Sequence, residues 1–214
     1  MNADKIIAYM ISKGYRVTSD PGCWNIVYVE GVNSDGTPNG DPLDQFNDRR
    51  LLIHHTGTAW EIYLNVRATT EPGAKATFSA GAARRGGVAR IAFGQYLSTW
   101  KLGYHKGDPN HPALMQIEPV LVHRDKNRDG IRTGDKIESG LFGINQHGTP
   151  GRKSTRVGSW SEGCLVGMGW EEHLLFISLL KEDPRWQTPF GFAWDTTIIN
   201  GDELFKFNFQ PTQQ

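Results

Sequence analysis

Cysteine is nearly absent from this chain. Cys23 and Cys164 are the only two in 214 residues. Two cysteines do not make a disulfide framework, and both are expected as free thiols. Charge of one sign is also missing: 23 Lys and Arg face 23 Asp and Glu. That balance leaves no general electrostatic footprint for nucleic acid or an anionic membrane, so neither is expected as a partner. No apolar run approaches the ~20 residues that a membrane-spanning helix needs. The N-terminus carries Asp4 and Lys5 early and has no apolar core segment, so it does not read as a secretory signal. Repeats, low-complexity linkers and sharp compositional boundaries are absent too.

What the chain does have is enough to build a core. Hydrophobic residues make up 38% and aromatics 11%, with seven Trp. This argues against intrinsic disorder. The 25 Gly and 11 Pro point to many turns and short strands rather than a helix bundle. Residues 4–13 place Ile6, Ile7, Met10 and Ile11 at helical spacing, with Asn2 to cap the start and Gly14 to end it. Strands are expected over 24–32, 51–53, 60–66, 89–96, 114–123, 141–146 and 196–199, the second and third forming a hairpin around Thr56-Gly57-Thr58. Residues 33–48, 74–87 and 125–135 read as loops, and 171–181 as a second helix with Pro184 beyond it. Asn200-Gly201-Asp202 closes the last strand as a turn. The expected fold is mainly β: a helical N-terminal extension over 1–20 and a single mainly β domain over 21–214.

One stretch carries chemistry. Phe142-Gly143-Ile144-Asn145-Gln146-His147-Gly148-Thr149 is followed by a polar loop and then Ser161-Glu162-Gly163-Cys164-Leu165-Val166, so a histidine precedes a cysteine by 17 residues. A neighbouring imidazole is the commonest device for turning a thiol into a strong nucleophile. His147 ends an apolar run, where a rigid element would hold its ring. Gly148 offers a bare carbonyl to take the Nδ1 proton and fix the tautomer. Gly163 lets backbone approach a substrate carbonyl closely, and the Ser161–Cys164 turn presents amides for an oxyanion. Cys23, in Pro21-Gly22-Cys23-Trp24, reads instead as a small buried hydrophobe.

These residues resemble the L,D-transpeptidase catalytic domain family, mainly β cysteine enzymes of peptidoglycan cross-linking. The resemblance rests on Ile144, His147, Gly148, Thr149, Gly158, Ser161, Gly163, Cys164 and Leu165, with a fainter echo of strand order over 50–200. It implies an L,D-transpeptidase-like β-sandwich or barrel with an N-terminal helix and one helix after the nucleophile. It implies that Cys164 attacks a stem-peptide carbonyl, that His147 is the base, and that the amides of Glu162, Gly163 and Cys164 hold the oxyanion. Peptidoglycan peptide would be the partner, the site of action would be the extracytoplasmic cell wall, and no cofactor or metal is implied. Trp160, Arg156 and Thr149 are the expected substrate contacts. Two positions depart from the pattern. Val166 stands where the family commonly has Arg or Asn, with Arg90, Arg124, Arg152 or Arg156 as substitutes, and Gln146 replaces an apolar residue.

Other constellations compete. His54-His55 is similar to the first ligand strand of zinc-dependent muramoyl-alanine amidases, with His105, His111, His123 and Cys164 as the remaining candidates. Asp125, Asn127 and Asp129 with Gly130 alternate like a calcium loop, but position twelve is Lys136. Residues 82–87 resemble a phosphate loop only in glycine content. A non-catalytic cell-wall or virion domain with the same fold is the alternative from another class.

Overall fold

The computed structural model describes residues 1–152, 154–187 and 191–210, so the last four residues of the expected 21–214 domain lie outside it. Eleven strands are described: β1 (Asn25–Glu30), β2 (Asp48–His55), β3 (Trp60–Thr69), β4 (Val88–Ile91), β5 (Gly94–Tyr104), β6 (Pro112–Gln116), β7 (Val120–Asp125), β8 (Lys136–Gly140), β9 (Gln146–His147), β10 (Leu165–Gly167) and β11 (Ala193–Asn200). Eight of them close a barrel in the order β1-β11-β5-β6-β9-β10-β3-β2, and β4, β7 and β8 form a separate three-stranded sheet. The helices are α1 (Ala3–Ser12), α2 (Ala74–Thr77), α3 (Ala80–Arg84), α4 (Trp170–Glu182) and α5 (Gly201–Lys206). No helix among the described residues is long and apolar enough to cross a membrane.

Strand alternation sorts the core into two compartments. Ile26 and Tyr28 on β1, with Leu52 on β2, point into the barrel. Val27, Val29, Leu51 and Ile53 point outward and are covered by Ile6, Ile7 and Met10 of α1. Every residue of β1 is therefore buried. The α1 contacts are worth about 2 kcal/mol per fully buried aliphatic side chain. Asn2 caps α1 by accepting the Lys5 amide at 2.9 Å.

Several expected elements differ. Residues 89–96 are two strands, not one: the chain turns at Ala92, where the Tyr96 hydroxyl donates to the Ala92 carbonyl at 2.8 Å, and passes from the small sheet into the barrel. Residues 114–123 also divide, because Pro119 has no amide to continue a ladder. Residues 141–145 are not strand. The Gln116 Oε1 accepts from the amides of Phe142 (3.2 Å) and Ile144 (2.8 Å), and Gly143 sits at φ +70°, so side-chain bonds replace the ladder. The expected loop 74–87 contains α2 and α3, the latter capped by Ser79. The expected turn at Asn200 is the cap of α5, with Asn200 Oδ1 accepting the Glu203 amide. Among the described residues, two α-helices rather than one thus follow Cys164. In the 125–135 loop, the Asp125 carboxylate accepts the amides of Asp129 and Gly130.

Candidate active site

Cys164 and His147 line the same cleft, of about 540 Å³. Their strands are parallel neighbours, with Leu165 opposite Gln146 and Val166 opposite His147. The cleft floor is this seam of the barrel wall, and its other side is β4 and β7, which contribute Val88, Ala89 and Arg124.

His147 is buried, and its Nδ1 lies 2.8 Å from the Gly148 carbonyl. A carbonyl only accepts, so Nδ1 carries the proton and Nε2 keeps its lone pair. Among the described residues Nε2 has no hydrogen-bond partner. Gly148 is small because α4 crosses it: a Cβ there would sit 2.6 Å from His173 Cβ. The same carbonyl also accepts from His111 Nε2 at 3.2 Å. His105 stacks on His147 with ring centroids 4.0 Å apart and 26° between planes. Burial first, then the neighbouring His105, holds the His147 pKa well below the usual imidazole value. Burial likewise takes His105 down to about 4.

Cys164 is half-buried and free, as is the buried Cys23. Its thiol donates to the Gly143 carbonyl at 3.5 Å. Burial raises its pKa, against the pull of the Asn145 amide and the Lys106 charge. The resting pair is thus a neutral thiol beside a neutral imidazole. Proton transfer has to accompany attack.

Ser161 clamps the nucleophile turn. Its hydroxyl donates to the Cys164 carbonyl at 2.8 Å and accepts the Gly163 amide at 3.1 Å. The Gly163 N–H is thereby occupied, which removes it from the expected oxyanion set. Among the described residues the amides of Glu162 and Cys164 have no such partner. Gly163 is required for its shape: φ is +142°, and a Cβ would lie 2.5 Å from the Ala89 carbonyl.

Of the expected substrate contacts, Trp160 lines the cleft. Thr149 and Arg156 do not. The Thr149 hydroxyl and Arg152 Nε both donate to the Met168 carbonyl. Arg156 reaches Asp44 at 3.4 Å. Arg90 is buried against Glu71 at 2.8 Å. The cations on the cleft are Arg85, Lys106 and Arg124. Arg85 pairs with Glu162 at 2.9 Å and Arg124 with Glu138 at 3.1 Å, whereas Lys106 has no carboxylate partner among the described residues. Val166 has its own explanation. It packs with Phe46, Val157, Trp160 and Cys164, where an Arg or Asn would bury a polar group without a partner. Gln146 is polar because it faces the barrel interior, accepting from the Tyr28 hydroxyl at 3.2 Å and donating to Thr196 at 2.8 Å.

His54 and His55 lie away from the cleft. His54 packs at a tilt on Trp24, and His55 packs on Trp60 and accepts the Gly57 amide. The side chains close enough together to share a metal, among the described residues, are Glu30, Asp41 and Glu71, which include no histidine. Sequence reasoning weighed His105 and His111 only as metal ligands. It missed Asn145, Lys106 and Arg50, whose placement depends on strands far apart in the chain.

The fold and this site define a closed β-barrel with a histidine on one short strand and a cysteine immediately before the parallel strand beside it. Comparison with protein-family models, curated proteins and solved structures finds no match.

Proposed function

We propose that this chain is a cysteine acyl-transfer enzyme acting on peptidoglycan stem peptides, of the L,D-transpeptidase or L,D-carboxypeptidase kind. The observation that carries the reading is the His147–Gly148 hydrogen bond beside Cys164. It leaves an unprotonated Nε2 in the cleft that holds the only half-buried thiol of the chain. His147 Nε2 takes the thiol proton as Sγ attacks the substrate carbonyl carbon. The new C–S bond leaves a tetrahedral oxyanion, for which the free Glu162 and Cys164 amides are the donors. Collapse breaks the C–N bond, and the imidazolium returns its proton to the leaving amine. The thioester then passes its acyl group to a second amine, forming a cross-link, or to water. The substrate class comes from the resemblance of residues 144–165 to that family, and with it a place of action at the cell wall.

The test is mass spectrometry of the protein after exposure to a carbapenem, alongside digestion of muropeptides. A covalent adduct on Cys164, lost in Cys164→Ala and slowed in His147→Ala, is the expected result. No adduct and no change in muropeptides would leave a non-catalytic wall domain as the better account. Muropeptide cleavage that survives Cys164→Ala and stops with a chelator would move the chemistry to a metal.

A further inference from the structure

A full positive charge is sealed inside the barrel, under the seam that carries the site. Arg50, on β2, is 0% exposed. Alternation puts it on the inward face with Leu52, two residues along the strand. Its guanidinium makes four hydrogen bonds: Nε to the Tyr28 hydroxyl (2.6 Å), Nη1 to His173 Nδ1 (3.0 Å), and Nη2 to the carbonyls of His147 (3.0 Å) and Leu165 (3.2 Å). It lies 4.5 Å from the Phe176 ring centroid, and no carboxylate pairs with it among the described residues. Buried arginines are normally paired with an anion. Here the partners are all neutral, and two of the four are backbone carbonyls, one belonging to the base and the other to the residue after the nucleophile.

The arrangement also fixes the far side. His173 Nε2 donates to the Pro112 carbonyl at 2.8 Å, so its Nδ1 is the unprotonated nitrogen and accepts from Arg50. Burial and then the Arg50 charge keep His173 neutral, with a pKa about 3. The space is fitted to the guanidinium: a Cβ on Gly167 would fall 2.7 Å from Nη1. The wall it braces is thin. β9 has two residues and β10 three, joined to each other at two residue pairs.

We propose that Arg50 is a positioning residue, whose guanidinium bridges the His147 and Leu165 carbonyls and so sets the aim of the His147 ring at Cys164. This rests on the reading of His147 and Cys164 as base and nucleophile. The forked guanidinium spans both carbonyls, Tyr28 and His173 at once. A lysine ammonium keeps the charge but is a compact point that does not span them.

Arg50→Lys tests this with two readouts. The first is the imidazole ¹⁵N spectrum of the protein without ligand. The native chain should show His147 as the Nδ1–H tautomer, and Arg50→Lys should show a mixture. The second is the rate at which a carbapenem acylates Cys164. Arg50→Lys should slow it about 10²-fold, the usual size of effect for an ångström-scale misplacement. It should slow it no further in a His147→Ala background, where there is no ring left to aim. A native tautomer and native rate in Arg50→Lys would overturn the proposal. So would an equal loss with and without His147, which is what a purely structural role produces. His147→Ala acylating at the native rate would remove the nucleophile–base reading, and the ¹⁵N spectrum would still decide on Arg50. Should Arg50→Lys fail to fold, Tyr28→Phe removes the Nε acceptor together with the Tyr28 donor to Gln146, and Gln146→Leu, which removes the second bond but keeps the Nε acceptor, is the control. Tyr28→Phe should give a smaller change of the same kind, and an unchanged His147 spectrum there counts against the proposal.

Discussion

His105 lies flat on His147, ring centroids 4.0 Å apart. The stack buries the base and sets a second titratable ring against it, and both effects disfavour the imidazolium. A base with so low a pKa is unprotonated through the neutral range, so acylation of Cys164 should fall only in acid. His105→Ala opens the ring to water and removes its neighbour's charge. The acid limb of the carbapenem acylation profile should move to higher pH. His105→Phe keeps the cover and should move it less. An acid limb that stays in place in both variants would mean that His147 is not the group titrating.

Ser161 is fully buried and binds its turn at two points, the Gly163 amide and the Cys164 carbonyl. Ser161→Ala leaves both without a partner. A buried polar group stripped of its hydrogen bond costs about 1–3 kcal/mol. Chemical denaturation should show a loss of that order, with slower acylation of Cys164 in the protein that remains folded. Stability unchanged within about 0.5 kcal/mol would show that water replaces the hydroxyl.

Val166→Asn places an amide in the apolar contact of Phe46, Val157 and Trp160. Restoring the polar residue common in the resembled family should therefore destabilise this chain, by about 1–3 kcal/mol, and not improve turnover. Higher stability or faster muropeptide processing would mean that the amide finds a partner at the cleft.

A second polar cluster holds carboxyls above their ordinary range. Glu30, Asp41, Asp48 and Glu71 face two arginines, with Arg132 on Glu30 and Arg90 on Glu71. Burial and then the Glu30 charge push Glu71 up to about 9 and Asp41 to about 6, and raise Asp48 as well. The folded chain thus holds protons that the unfolded chain releases above the usual carboxylate range. Stability contributed by these groups is present in acid and lost as pH rises through the folded values. Above about pH 7, where the buried histidines are neutral in both folded and unfolded chain, the unfolding temperature should decline toward about pH 9, and Glu71→Gln should flatten the decline. A rising unfolding temperature across that window would contradict protonated carboxyls in the cluster.

The sequence exposed the helix at α1, the hairpin of β2 and β3, and the Cys164 turn, because each is set by residues close together in the chain. It exposed less where distant groups compete with local pattern. Residues 141–146 have the apolar character of a strand, yet Gln116 withdraws two of their amides. Gln146 and Val166 looked like departures from a motif. Both are explained by what lies across the barrel or beside the loop, Tyr28 and Thr196 for one and Phe46 for the other. Arg50 stands next to an ordinary apolar run, and nothing local distinguishes it from Arg49. Only the closed barrel shows that one of the two is beneath the cleft.

The parallel pairing of β9 with β10 gives the 17-residue interval between His147 and Cys164 a topological meaning. Two antiparallel strands can be joined by a two-residue turn, but parallel neighbours need a crossover of about a dozen residues or more. The interval is therefore a return path: the chain must leave one end of the wall and re-enter at the other before it can lay its second strand alongside the first. The described residues of that path include Trp160 and Glu162 on the cleft. Lengthening or recutting it would remodel the rim that meets a ligand, while the register of the two short strands stays as Arg50 and the ladder hold it. Shortening it to a hairpin would reverse the second strand and turn Cys164 away from its base.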